Sequence, residues 1–141
     1  MKIINGDVDL EKLLLTELPD LQDVQVRGGF YCNDNELRSL EGAPTHVDGY
    51  FDCTNNYLQS LEGAPTHVGG DFDCFDNDLR SLKGAPTHVD GDFWCSDNNL
   101  RSLEGAPTRV DGDFYCKNNR GIEITEDMIR EVCDVKGEVY V

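Results

Sequence analysis

From Val26 onward the chain repeats itself every 21 residues. The pattern V-x-G-x-F-x-C-x-x-N-x-L-x-S-L-x-G-A-P-x-x begins in full at Val26, Val47, Val68 and Val89, and in part at Val110. An earlier, degenerate copy starts at Gly6, where "GDVDLEKLLLTEL" aligns with "GDFWCSDNNLRSL". A fixed period of this length is the signature of stacked supersecondary units. One unit is too small to bury its own apolar face. A stack buries it continuously, Val over Val, Phe over Phe and Cys over Cys. The period therefore predicts a solenoid before any other property is considered.

Within each unit, stretches such as Asp71-Phe72-Asp73-Cys74-Phe75 alternate outward and inward positions, which is strand periodicity. The Asn that follows (Asn35, Asn56, Asn77, Asn98, Asn119) stands where the chain turns, and its amide can satisfy backbone groups that the turn exposes. Two Leu point back inward. Gly-Ala-Pro makes the next corner, and its Pro fixes φ and lacks an N–H, so the return side should be extended or turn-like. The expected architecture is a curved parallel β-sheet on one face, a turn or extended return side, and a short C-terminal helix and strand as cap. The whole of 1–141 reads as one domain: an N-terminal cap and degenerate repeat over 1–27, repeats over 28–120, and a C-terminal cap over 121–141. In that cap Thr125 can N-cap "EDMIREV", and "EVYV" reads as a final strand that closes the last rung or pairs with another chain.

The combination of L-x-x-L with F-x-C-x-x-N-x-L resembles the leucine-rich-repeat consensus, with Phe and Cys at two Leu positions. The 21-residue length and the Pro after the last Leu resemble the short LPX-type repeats of bacterial effectors. "SLEGAP" followed by "VGGDFDC" is closer still to small leucine-rich-repeat-like proteins of bacteriophage and bacteria. The resemblance covers roughly residues 6–120 and implies a curved solenoid whose strand face binds partners. It carries no catalytic residue to this chain, and residues 121–141 are not expected to form the ligase-like domain of the effector class.

Twenty-eight acidic residues against 12 basic ones give a formal charge of -16. Such a surface repels phosphates and acidic membranes and attracts basic surfaces. No apolar run reaches membrane length, and Met1–Gly6 has no signal-peptide character. Hydrophobic content is only 38%, yet the order of the repeat sets the chain apart from a disordered tail. Cys32, Cys53, Cys74, Cys95 and Cys116 follow the repeat, and Cys133 stands apart. No close Cys pair suggests a metal site. An in-register column of thiols reads as buried, reduced small hydrophobes, which fits a reducing cytoplasm.

Fixed positions build the rungs, and variable ones build a surface. Counting either side of Phe and Cys gives the outward columns. The first is Asp7, Gly29, Tyr50, Asp71, Asp92 and Asp113; the second is Asp9, Tyr31, Asp52, Asp73, Trp94 and Tyr115; the third includes Phe75. Asp34, Asp76 and Asp97 lie just past the strand. The candidate partner-binding set is Tyr31, Tyr50, Asp52, Asp71, Asp73, Phe75, Asp76, Asp92, Trp94, Asp97, Asp113 and Tyr115. Phe75 and Trp94 stand out because strand-face positions need no large apolar group for folding.

Other chemistries are weaker. Asp71, Asp73, Asp76 and Asp78 are dense, but their spacing is not that of a calcium loop. His46, His67 and His88 form a column in the same "APTHV"-type context, with Arg109 in the fourth place. Three stacked imidazoles can in principle hold zinc or sense pH, but the repeated context favours surface histidines. No catalytic residue, metal or cofactor is expected. The expectation is a non-catalytic module, monomeric or homodimeric, that binds a basic protein and neither nucleic acid nor membrane. A host nucleic-acid-handling or defence protein, blocked by a phage inhibitor acting as a DNA mimic, is the sharper version that the resemblance implies. The alternative is a structural, assembly or adhesion element of a virion or cell surface.

Overall fold

The computed structural model describes residues 1–141, wound as seven stacked coils. Each coil gives one short strand to each of two parallel sheets. Sheet A holds β1 (Lys2–Ile4), β3 (Val24–Val26), β5 (His46–Val47), β7 (His67–Val68), β9 (His88–Val89), β11 (Arg109–Val110) and β13 (Asp134–Val135). Sheet B holds β2 (Val8–Asp9), β4 (Phe30–Tyr31), β6 (Phe51–Asp52), β8 (Phe72–Asp73), β10 (Phe93–Trp94), β12 (Phe114–Tyr115) and β14 (Val139–Tyr140). Partners are one repeat apart, as in Phe51 with Phe72 and His67 with His88.

The solenoid and its Phe-bearing sheet agree with the sequence reading. Sheet A is an addition to it. His46-Val47 and its counterparts read as part of the return, yet each pair is a two-residue strand. Val47 faces the core while His46 faces solvent. Two residues are too few to display a period.

The core is a set of columns. Phe30, Phe51, Phe72, Phe93 and Phe114 are fully buried, and their rings follow one another at 5.3, 5.1, 5.6 and 5.0 Å between centroids. The five repeat thiols and Cys133 are free and buried. Burial pushes the Cys32, Cys53, Cys74 and Cys95 thiols far up, and Cys133 up to about 12, so these groups stay protonated and act as apolar filler.

The Asn column joins the coils, as its turn position suggested. Asn77 Oδ1 accepts from Leu58 N at 3.0 Å, and its Nδ2 donates to the carbonyls of Cys53 (3.1 Å) and Cys74 (3.2 Å). Asn56 and Asn98 repeat the arrangement. A buried amide so satisfied closes backbone groups that a turn would otherwise orphan. At the Gly-Ala-Pro corner Gly42, Gly63, Gly84 and Gly105 adopt φ between +83° and +97°. A Cβ on Gly42 would also lie 2.7 Å from the Pro19 carbonyl of the coil below.

In the last coil a helix, α1 (Glu126–Val132), replaces the Leu-rich return. Thr125 caps it by accepting from Met128 N. Arg130 reaches from the helix to the carbonyls of Val135 (2.9 Å) and Gly137 (3.0 Å), fastening it to the final rung. β14 pairs with β12, so "EVYV" closes that rung. No helix is long and apolar enough to cross a membrane.

Candidate interaction surface

The outward columns of sheet B fall where counting placed them. Asp9, Tyr31, Asp52, Asp73, Trp94 and Tyr115 are in register, and Tyr140 extends the column. What these side chains do is more varied than their position suggests.

The first column is largely a structural ladder. Asp7 Oδ1 accepts from Gly29 N, Asp71 from Asp92 N and Asp92 from Asp113 N, each at 2.7 Å; Asp113 accepts from Glu138 N at 2.8 Å. Each carboxylate closes a backbone N–H of the next coil. The glycine column beside it (Gly28, Gly91, Gly112, Gly137) leaves the space these carboxylates occupy. Burial raises the Asp92 carboxyl, partly offset by the Asp113 N–H. Asp71, Asp92 and Asp113 therefore serve the fold whatever else they do.

Asp34, Asp76 and Asp97 share a second constraint. With Asn55 and Asn118 they occupy the same turn, at φ between +55° and +57°. Asp and Asn tolerate this left-handed region better than other residues with a side chain. Asn55 donates to Asp34 at 2.7 Å, holding that carboxyl below its ordinary range, and Asn118 donates to Asp97 at 3.1 Å. Asp76 is exposed, and its carboxylate makes no hydrogen bond within the protein.

The aromatics are stacked on one another. Trp94 and Tyr115 lie parallel at 3.6 Å, Tyr115 and Tyr140 at 4.6 Å, and Phe75 tilts against Trp94 at 6.3 Å. Phe75, Trp94 and Tyr115 are half-buried, with their faces partly taken up by neighbours. Lys117 sits over the Tyr140 ring. Sequence counting left out Tyr140, although the alignment of Gly137-Glu138-Val139-Tyr140 with Gly112-Asp113-Phe114-Tyr115 carries the signal. At the other end Tyr31 lies across Gly29 and Tyr50 across Gly70, where any Cβ would meet the rings. Tyr50 remains 54% exposed.

Between these aromatic groups lies a strip of oxygens. Asp52 gives one oxygen to Thr54 N at 2.9 Å. Asp73 Oδ1, Thr54 Oγ1 and Asn33 Oδ1 are shielded from solvent and receive no hydrogen bond. Asp73 is raised to about 7, first by burial and then by Asp52, Asp71 and Asp92. A cation placed here would counter the like-charge cause. The strip is rich in carboxylate and carbonyl oxygens, with the Thr54 hydroxyl able to donate or accept.

The acids are not confined to this face. Sheet A carries His46, His67, His88 and Arg109 beside Asp48, Asp90 and Asp111; Arg109 pairs with Asp111, and His67 and His88 contact Asp90 and Asp111. The chain matches no protein-family model, no curated protein and no solved structure. The fold and surface together define a two-sheet parallel β-solenoid with one acidic, aromatic-flanked face.

Proposed function

We propose that the protein is a non-catalytic binding module that holds a basic protein surface against the outer face of sheet B. The observation that carries this reading is the crowding of Asp52, Asp71, Asp73 and Asp92 on one face, where no Lys, Arg or His of the protein forms an ion pair with them. A Lys or Arg of a partner supplies the missing positive charge and donates to the carboxylate oxygens that remain accessible. Tyr50 and the edges of Trp94 and Tyr115 flank the strip and offer amphipathic contact area. The net charge of -16 would speed encounter, and the aromatic contacts would slow release. A host protein that handles nucleic acid, with a basic groove, suits this chemistry; the resemblance to small phage proteins favours an inhibitor acting in a bacterial cytoplasm. Repeated context around most candidate nucleophiles and bases argues against an enzyme.

The test is capture from bacterial lysate on immobilised native chain and on an Asp52→Asn, Asp73→Asn, Trp94→Ala variant, at low and moderate salt. The expected result is a basic protein kept by the native chain, weakened by salt and lost by the variant. Equal retention on both, or retention indifferent to salt, would remove sheet B from consideration.

A second reading, an end-to-end assembly element, rests on a separate observation. β1 and β2 leave their outer edges unpaired, and Ile3, Leu13 and Leu14 are exposed beside them. It predicts a mass in solution that rises with concentration and falls back to monomer in Leu13→Glu, Leu14→Glu.

A further inference from the structure

The outer face of sheet A carries a cluster that the binding reading does not use. His67 and His88 stand on adjacent strands, their rings stacked at 4.9 Å and 11° from parallel. Both turn Nε2 to the same carboxylate oxygen: Asp90 Oδ1 is 3.0 Å from His67 Nε2 and 3.1 Å from His88 Nε2. Asp111 Oδ2 lies 3.1 Å from His88 Nε2 on the far side, its other oxygen held by Arg109 Nε.

We infer that His67, His88 and Asp90 form a binding site for a zinc-class divalent ion, with Asp111 adjoining. The donor set is the first argument. Two imidazoles and one carboxylate suit zinc, while magnesium and calcium prefer all-oxygen sites. Distance is the second. The three donor atoms lie within 4.8 Å of one another. At ordinary bond lengths, neighbouring ligands on a four-coordinate ion are about 3.3 Å apart. The two His–Asp separations already sit close to that, so binding requires mainly that the rings tip together at Nε2. The sheet holds both histidines on rigid, in-register backbone, which lowers the ordering cost. The third argument is internal. His46 occupies the same column, but the residue two beyond His67 is Gly69, where Asp90 follows His88. His46 Nδ1 meets Thr45 Oγ1 at 3.3 Å and has no carboxylate partner. A cluster of three donors forms where the carboxylate column is filled. Three protein ligands leave a fourth position open to solvent or to a partner's side chain.

The chain has three histidines, so each ring can be followed separately by nitrogen-correlated NMR during titration of the full chain with Zn²⁺ alone. The expected result is that the His67 and His88 rings shift together and saturate at one equivalent while His46 stays in place. Asp90→Asn should weaken binding by about tenfold or more, and His67→Gln should do the same, both with an unchanged backbone amide spectrum elsewhere. The inference is overturned if no saturable binding occurs, if all three histidines shift in parallel, or if Asp90→Asn binds as tightly as the native chain. The site lies on a different sheet from the proposed partner face, so neither result bears on the other.

Discussion

The two outer faces of this solenoid share a backbone plan and differ in how they treat charge. On sheet A, acids alternate with His67, His88 and Arg109 and find hydrogen-bonding partners within the chain. Arg109 and then His88 hold the Asp111 carboxyl below its ordinary range. On sheet B, acids stand beside acids, and the Asp73 carboxyl is pushed up to about 7. One face resolves its electrostatics during folding. The other leaves a cost that an external cation would relieve. Repetition fixes the coil, and the choice of residue in two outward columns decides which kind of surface results.

The inward faces give the largest contrast. Phe72→Ala in sheet B should cost about 3–5 kcal/mol, because it leaves a gap in a fully buried ring stack. Val68→Ala in sheet A removes less and should cost about 2 kcal/mol. Urea unfolding of both variants checks the order; a larger loss at Val68 would show that sheet A holds the coils together.

Outward acids should differ next. Asp92→Ala orphans the Asp113 N–H and should cost about 2 kcal/mol. Asp90→Ala in sheet A breaks only exposed pairs and should cost under about 1 kcal/mol without metal. Equal losses would mean that the carboxylate ladder contributes no more than a surface ion pair.

Asp73 supplies a pH signature. Its folded value, about 7, stands above the ordinary 3.8, so the folded state holds a proton that the unfolded chain releases. This contribution is fully present below about pH 4, declines as pH rises towards 7 and levels off beyond. Asp73→Asn should flatten that decline and raise stability at pH 8 by about 1 kcal/mol after solvent screening. Unfolding midpoints of both chains at pH 5 and pH 8 decide it; parallel curves would assign the crowding to another acid.

The smallest effect is that of salt. Moderate salt should screen the like charges of sheet B and raise the thermal midpoint by the equivalent of under about 1 kcal/mol. Asp52→Asn, Asp73→Asn should show less of that gain. An unchanged gain would place the repulsion at the corners, near Glu41, Glu62 and Glu104.

Much of the coil was legible because buried residues announce themselves by identity. Phe72, Cys74, Asn77 and Leu79 recur at fixed spacing, and each is in the core. The outward positions were legible only as positions. A carboxylate that accepts from the next coil, as Asp92 does, has the same letter as one that faces solvent, as Asp76 does. Trp94 looked free in the sequence, because its stacking depends on which large ring happens to follow 21 residues later at Tyr115. The His–Asp contacts were hidden by their offset. His67 meets Asp90 at a separation of 23, two beyond the repeat, so an alignment by period never sets them side by side.

The asparagine joint has a consequence for how such a chain can change length. Asn56, Asn77 and Asn98 make the same connections to the coil beneath, so the top of one coil fits the bottom of any other. Excising residues 68–88 would leave two mating surfaces of the original kind, with Asp52 now beside Trp94. Whole units can thus be spliced in or out without redesigning the scaffold, while each splice rewrites the pattern displayed to the outside. The molecule is in that sense a rack of standard height, and its specificity is a matter of which shelves are kept and in what order.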